Sequence, residues 1–420
     1  MTEANAAPSA LGIEALGVYC GLARLPARTL IEGRGLDPGR LANLAVDERS
    51  VALPFEDPVT HAVNAAKPVV DALSPRQRER IEILMTATES GVDYSKSVAS
   101  YVHEFLGLHR NCRIAEVKQA CYAATAAVQL AAGYLASAVS PGAKALVIAT
   151  DVALTDARAQ YAEPATGTGA AAILLSDDPR VLTIDLGAFG NYSYETMDSA
   201  RPSPEFDIAD VDTSLFAYLD CLEGSLADYQ SRVDGADIVT GFDYLAMHTP
   251  FCGLVKAAHR KLMRGSGVAS DRAVDEDYAR RVAPSLIYPR AVGNLCSGSV
   301  YLALASIIDH APLSGAARVG LFSYGSGCSS EFFSGVIDAG SVRALAGVRL
   351  SEHLAHRCEL TFADYELLLK ETLRCLVPEK HRTIDVAGYS DLVAQARTPL
   401  ERPLLAFRGT AAYHRKYDWL

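Results

Sequence analysis

EVKQACYAATAAVQLAAGYLASA, residues 116–138, is the stretch on which the fold turns. A short strand-like run, EVKQA, meets Cys121, and the residues that follow are apolar nearly all round and rich in alanine. A helix of that composition has no polar face to offer water, so it is buried, and its small side chains let neighbours pack closely. Strand candidates flank it on both sides in sequence: RIEILMTAT (Arg80–Thr88), KALVIA (Lys144–Ala149), AAAILL (Ala170–Leu175), VLTIDL (Val181–Leu186) and RVGLF (Arg318–Phe322). Runs apolar on both faces are what a sheet covered on both sides requires. Ser95–Leu106, Cys121–Ala138, Leu254–Arg264 and Ser297–Asp309 read as helices, which makes the class α/β. Pro202–Pro204 and Gly265–Ser270 read as surface loops.

A theme recurs along the chain. A strand leads to a polar or reactive residue, then to a buried helix or a glycine turn, at Glu116–Cys121 and again at Leu321–Gly325. Two related halves packed around one site are the expectation.

Composition narrows the classes. Half the 420 residues are hydrophobic and 21% are charged, which is ordinary for a globular protein. A net charge of -11, with no like-charge run, disfavours nucleic acid and anionic membrane as partners. An acidic carrier protein would need only a local basic patch. The nine cysteines are scattered and none lies in a CxxC, so neither a disulfide framework nor a zinc ribbon is expected. The first eleven residues carry no signal-peptide pattern and no stretch reaches the length of a membrane span. A disordered segment over 1–11 and a cytoplasmic protein are expected.

Three residues carry chemistry. Cys121 stands at a strand-to-helix junction, where unpaired N–H groups and the helix dipole lower a thiol pKa and stabilise an oxyanion. A lone cysteine in an Ala-rich helix is otherwise more often a small core hydrophobe. Glu89 follows a strand in TATESGVD, where α/β sites collect and where partial desolvation raises a carboxyl toward working pH. The alternative is a solvated turn glutamate. His248 lies in YLAMHTPF, between an apolar run and a rigid Pro-Phe; taken singly, a packed histidine is the commoner reading. No HExxH, GxGxxG, Walker or GxSxG motif is present, so metal, nucleotide and hydrolase-elbow readings find no support. The turn YGSGCSS from Tyr324 is read as a backbone oxyanion or pantetheine contact.

EVKQACYAAT, TATESGVDYSKS, HTPFCGLVK, GNLCSGSVYLALAS and FSYGSGCSSEFF together resemble the motifs of 3-hydroxy-3-methylglutaryl-CoA synthases, in that family's order, from about Gly12 to Gly335. ALPFEDPVTHAVNAAKPVVDAL, YVHEFLGLHRNCR and AYLDCLE further resemble the branch that serves polyketide assembly lines. The resemblance implies a five-layered αβαβα thiolase-like fold, with an N-terminal half over 12–175 and a C-terminal half over 176–420, and a homodimer. It implies nucleophile, base and acid–base roles for Cys121, Glu89 and His248. Asn294, Ser326, Ser214 and Asp198 fall on substrate-binding positions.

Departures from the family bear on the substrate. Gly253 stands where mevalonate-type members carry a lysine that contacts CoA, and Tyr161 and Ala165 replace an asparagine and a threonine. Donor and acceptor acyl carrier proteins are therefore the expected partners, with substrates on phosphopantetheine and no separate cofactor. Arg34, with Arg40 nearby, is the candidate basic contact. The implied reaction adds an acetyl-derived carbanion, made on Cys121, to a β-ketone. A mevalonate-type synthase, a ketoacyl synthase and a non-catalytic docking protein are the alternatives.

Overall fold

Ala123–Ala136 forms the expected buried helix, with Ala123, Ala124, Ala127, Val128, Ala131 and Ala132 at most 1% exposed. Its counterpart from the second half of the chain, Ser299–His310, is buried over ten consecutive residues. The two meet through a buried contact between the Thr125 and Tyr301 hydroxyls at 3.2 Å. In this computed structural model, which describes residues 10–153, 162–397 and 400–420, the two helices form the middle of the molecule.

A sheet lies on each side of them. In chain order the first strands are β1 (Gly12–Tyr19), β2 (Ala23–Pro26), β3 (Glu48–Val51), β4 (Ile81–Ala87), β5 (Arg113–Val117), β6 (Lys144–Asp151) and β7 (Gly169–Ser176). They are followed by β8 (Leu182–Ser193), β9 (Ser199–Ser203), β10 (Phe206–Ala209), β11 (Tyr244–Met247), β12 (Ala317–Gly325) and β13 (Ser329–Ile337). Nine of these run β11-β12-β13-β8-β1-β7-β6-β4-β5. The β1–β8 ladder contains only the pairs Gly12↔Thr183 and Ile13↔Leu182, so the array divides there into two sheets.

The two sheets share one plan. In the first, β1 pairs antiparallel with β7, β7 antiparallel with β6, and β6 parallel with β4. In the second, β8 pairs antiparallel with β13, β13 antiparallel with β12, and β12 parallel with β11. Strand order and direction repeat, and β5 is an addition to the first sheet alone. Helices Pro58–Asp71 and Val98–Leu106 cover its outer face, and Val211–Arg232 and Cys252–Gly265 cover that of the second. The layers are thus α, β, α, β, α, the thiolase-like arrangement the motifs imply. A last antiparallel sheet, of His381–Thr383, Leu405–Ala411 and His414–Trp419, closes over the first half.

Several boundaries differ from expectation for local reasons. The central helix starts at Ala123, not Cys121, because Gln119–Tyr122 makes a turn in which Ala120 adopts φ 43° and the Tyr122 N–H bonds to Gln119 O at 3.0 Å. Leu130 on that helix is 66% exposed, so its burial is incomplete within one chain. Pro202 lies inside β9, which is tolerated because β9 and β10 form an isolated two-stranded hairpin with open edges. The 1–11 expectation falls mostly on residues outside those described; Leu11, at its end, is core. Among the described residues no helix is long and apolar enough to cross a membrane.

Close approach of helix to sheet fixes several glycines. A Cβ at Gly17 on β1 would stand 2.2 Å from the Ala65 carbonyl of the Pro58–Asp71 helix. We expect Gly17→Val to destabilise the protein by about 1–3 kcal/mol through overpacking, read as a lower urea midpoint; an unchanged midpoint would mean that the helix shifts freely.

Candidate active site

Strand β4 delivers Glu89 two residues beyond its last paired residue, at the edge of the central layer. The carboxyl is placed by main chain and side chains around it. Asp151, at the end of neighbouring β6, accepts the Glu89 N–H at 2.9 Å, the Thr88 hydroxyl at 2.9 Å and the Ser90 hydroxyl at 3.0 Å. Arg201 reaches in from β9: it donates to Glu89 O at 3.1 Å and Ser90 Oγ at 2.9 Å, and stands 3.5 Å from Glu89 Oε1. Asp207 on β10 holds the other side of that guanidinium at 2.6 Å. Desolvation raises the Glu89 pKa, the Arg201 charge opposes that rise, and Asp207 adds to it. Burial pushes Asp151 up to about 8, with the Glu89 charge adding to the effect. The result is a carboxyl more basic than an ordinary glutamate. It borders a cleft of about 710 Å³ that runs between Asp93–Ser97, Lys118 and Pro202–Pro204.

Cys121 Sγ stands 4.0 Å from Glu89 Oε2. Its thiol differs from the sequence expectation of a depressed pKa. A hydrogen bond with Cys296 lowers it, but burial and the Glu89 and Asp151 charges outweigh that, and the net direction is upward. The reason is positional: the cysteine precedes the helix by two residues and faces carboxylates. The turn that holds it is clamped by the YGSG segment, since a Cβ at Gly325 would lie 2.4 Å from Gln119 O and 2.5 Å from Tyr122 N.

His248 follows β11, with its N–H bonded to Phe322 O at 2.7 Å. It is 2% exposed, and burial lowers its pKa to about 3, so the imidazole is neutral across the working range. Nδ1 lies 2.6 Å from Ser299 Oγ, which is also 2.9 Å from Cys296 O. When Ser299 donates to that carbonyl, Nδ1 carries the imidazole proton; when it donates to Nδ1, Nε2 carries it.

Cys296 links the three groups, and the sequence reading passed over it. Its Sγ is 3.5 Å from Glu89 Oε1 and its carbonyl bonds the hydroxyl that touches His248. It sits at φ 47°, with its N–H held by Asn294 Oδ1 at 2.9 Å. Asn294 is in turn fixed by its own N–H to Ala165 O at 2.7 Å.

The other anticipated positions divide. Ser326 lies in the clamped turn, its carbonyl 3.4 Å from Gln119 Nε2. Asp198, expected to meet substrate, is fully buried and accepts Tyr324 OH at 2.6 Å and Gly327 N–H at 2.8 Å, so it ties the β9 segment to the YGSG turn. Ser214 is half-buried in the first turn of the Val211–Arg232 helix. Tyr161 lies outside the described residues. Arg34 is 12% exposed and paired with Glu163 at 2.8 Å and Glu366 at 2.6 Å; its charge is already matched within the chain. Gly253 is dictated by packing, because a Cβ there would stand 1.7 Å from Asn43 O.

Comparison with known proteins agrees with this geometry. Residues 8–179 match the model of the hydroxymethylglutaryl-coenzyme A synthase N-terminal region, and residues 266–381 that of its C-terminal region. The chain belongs to the hydroxymethylglutaryl-CoA synthase family. The synthase is 44% identical to the polyketide biosynthesis 3-hydroxy-3-methylglutaryl-ACP synthase PksG of Bacillus subtilis, over 97% of this chain and 99% of that one. It superposes on the curacin biosynthetic pathway HMG synthase in complex with acetyl donor-ACP with a TM-score of 0.94 and 44% identity, covering 98% of this chain and 100% of that one. MvaS in complex with 3-hydroxy-3-methylglutaryl coenzyme A is more distant, with a TM-score of 0.84 and 30% identity over 98% and 99% of the two chains.

Arg201, Asp151, Asp207, Ser299 and Cys296 went unread as site residues, though Cys296 and Ser299 lie inside GNLCSGSVYLALAS. Arg201 holds the Glu89 pKa down, so if Glu89 is the base, Arg201→Gln is expected to move the acid limb of condensation upward by about one pH unit. The sign follows because the lost cation had favoured the ionised carboxylate. An unmoved limb in a pH profile of kcat/KM would separate Arg201 from the base.

Proposed function

We propose that the synthase condenses an acetyl group held on Cys121 with the β-ketone of a carrier-protein-bound polyketide intermediate and releases the new branch as a carboxylate. The observation that carries this reading is the convergence of Glu89, Cys121 and, through Cys296 and Ser299, His248 at one point between the two halves.

Each step follows from those side chains. The Cys121 sulfur attacks the acetyl thioester carbonyl; a C–S bond forms, the pantetheine sulfur leaves, and the cysteine proton ends on it. Glu89 then takes a proton from the acetyl methyl group, and the carbanion forms the C–C bond at the ketone carbon. His248, held neutral by its burial, steadies the developing alkoxide through Nε2–H in the tautomer in which Ser299 turns its proton from the Cys296 carbonyl to Nδ1. The proton lifted by Glu89 finally resides on that oxygen. Water cleaves the Cys121 thioester, giving the free carboxylate and restoring the thiol.

Delivery by carrier protein rests on two supports. PksG is named as an ACP synthase and the curacin enzyme was solved with donor ACP. Gly253 leaves no room for the lysine that CoA-using members carry, since the Asn43 carbonyl occupies the place of its Cβ. A lost charge-assisted contact is worth about 1.5–3 kcal/mol.

Acetylation of Cys121 is expected to be faster from acetyl carrier protein than from acetyl-CoA at matched concentration, followed by intact-protein mass. In Glu89→Gln the acetyl-enzyme should form and then persist when acceptor is added. Equal or faster loading from acetyl-CoA would favour the mevalonate-type reading, and turnover by Glu89→Gln would assign the base elsewhere.

We also infer a homodimer through the free edge of β5. Arg113–Val117 ends the first sheet with one side unpaired, and Ile114 there and Leu130 on the adjoining helix are 42% and 66% exposed. A long open edge beside apolar surface calls for a covering partner. Leu130→Asp is expected to shift the protein toward monomer in light scattering; an unchanged dimer would place the interface elsewhere.

A further inference from the structure

Condensation uses one thiol, yet two meet the base. Cys121 Sγ, Cys296 Sγ and a Glu89 oxygen all lie within 4.8 Å of one another. Their separation in sequence, 32 residues between Glu89 and Cys121 and 207 between Glu89 and Cys296, is why no spacing motif announces them. We propose that these three side chains form a binding site for one thiophilic divalent cation of the zinc or cadmium class, and that its occupancy blocks acylation of the enzyme.

The geometry is that of a tetrahedral site. Zinc bonds of about 2.3 Å to sulfur and about 2.1 Å to oxygen put sulfur and oxygen ligands about 3.6 Å apart, and two sulfurs about 3.8 Å apart. Cys296 Sγ lies 3.5 Å from Glu89 Oε1 and Cys121 Sγ 4.0 Å from Glu89 Oε2, and a single carboxylate oxygen and the two sulfurs fall within 4.8 Å of one another. Side-chain shifts of up to about an ångström close the site, and the backbone of Cys296 is already fixed by the Asn294 bond to its N–H. The donor set selects the ion. Two sulfurs and one carboxylate suit soft or borderline cations and fall short of the six or more oxygens that calcium and magnesium require.

Charge permits it. Arg201 faces Glu89, but Asp207 neutralises that arginine, and Asp151 lies behind the Glu89 backbone. Binding of the cation to the carboxylate and two thiols releases two protons, so the site changes by no net charge. A fourth position stays open to water. Nucleophile and base are both tied up in such a complex, so acyl transfer stops, and an acetyl group on Cys121 removes a ligand in return. Cation and acyl group therefore compete.

The test uses full-length, unacylated protein kept reduced with a phosphine. Cobalt(II) is titrated in, the thiolate-to-cobalt charge-transfer absorption and proton release are followed, and zinc is used to displace it. One equivalent of cobalt, two protons and full displacement are expected. Cys296→Ser should weaken binding by at least about tenfold, the scale on which even outer-shell changes act, and make acetyl loading less zinc-sensitive by a similar factor. Cys112→Ser, a half-buried thiol outside the site, should bind as wild type does. Protein acetylated beforehand should give no band. Equal affinity in folded Cys296→Ser, or a band that survives acetylation, overturns the proposal. If Cys296→Ser does not fold, the acetylation arm decides alone.

Discussion

A carboxylate held part-way out of water organises this molecule. Glu89 is kept at the mouth of β4 by a carboxylate behind its own N–H and an arginine in front of it. The two act in opposite senses: desolvation raises the carboxyl pKa and the Arg201 charge holds it down. Balance between them requires that β6, which carries Asp151, and the β9–β10 hairpin, which carries Arg201, be held against one another. The bonds from Arg201 to Glu89 O and Ser90 Oγ, and those between Asp198 and the YGSG turn, tie the hairpin to the layered fold.

The repeated plan of the two sheets explains how the parts arrive together. In each half the buried central helix follows a turn that carries a cysteine, Cys121 before Ala123–Ala136 and Cys296 before Ser299–His310. Packing the two helices against each other brings those two turns to one place. Both turns carry a residue at positive φ, Ala120 in the first and Cys296 in the second. Its cysteine touches the base through sulfur and the histidine through its carbonyl and Ser299.

Much of this was legible in the chain. Apolar runs located β4, β6, β7 and β12 to within one or two residues at most boundaries, because strands covered on both faces have no reason to alternate. Glu89, Cys121 and His248 stood out because they sit where strands end inside distinctive motifs, and the structure brings them close together. What escaped was of two kinds. The Val211–Arg232 helix and the β9–β10 hairpin have mixed polarity and offered little periodic signal. Arg201 and Cys296 were invisible as site residues because their meaning comes from partners far away in sequence. The Cys121 thiol pKa was misjudged for the same reason: the helix start is local and readable, while the opposing carboxylates are not.

The contact between Gly253 and the Asn43 carbonyl has an evolutionary consequence. A preference held by a side chain can be reversed by one codon, whereas this position is fixed by the distance between two main chains. Any larger residue there would first demand that the Leu41–Leu44 segment or the Cys252–Gly265 helix retreat by more than an ångström. A change at this position therefore has to move two segments of main chain together, where a side-chain contact could change alone.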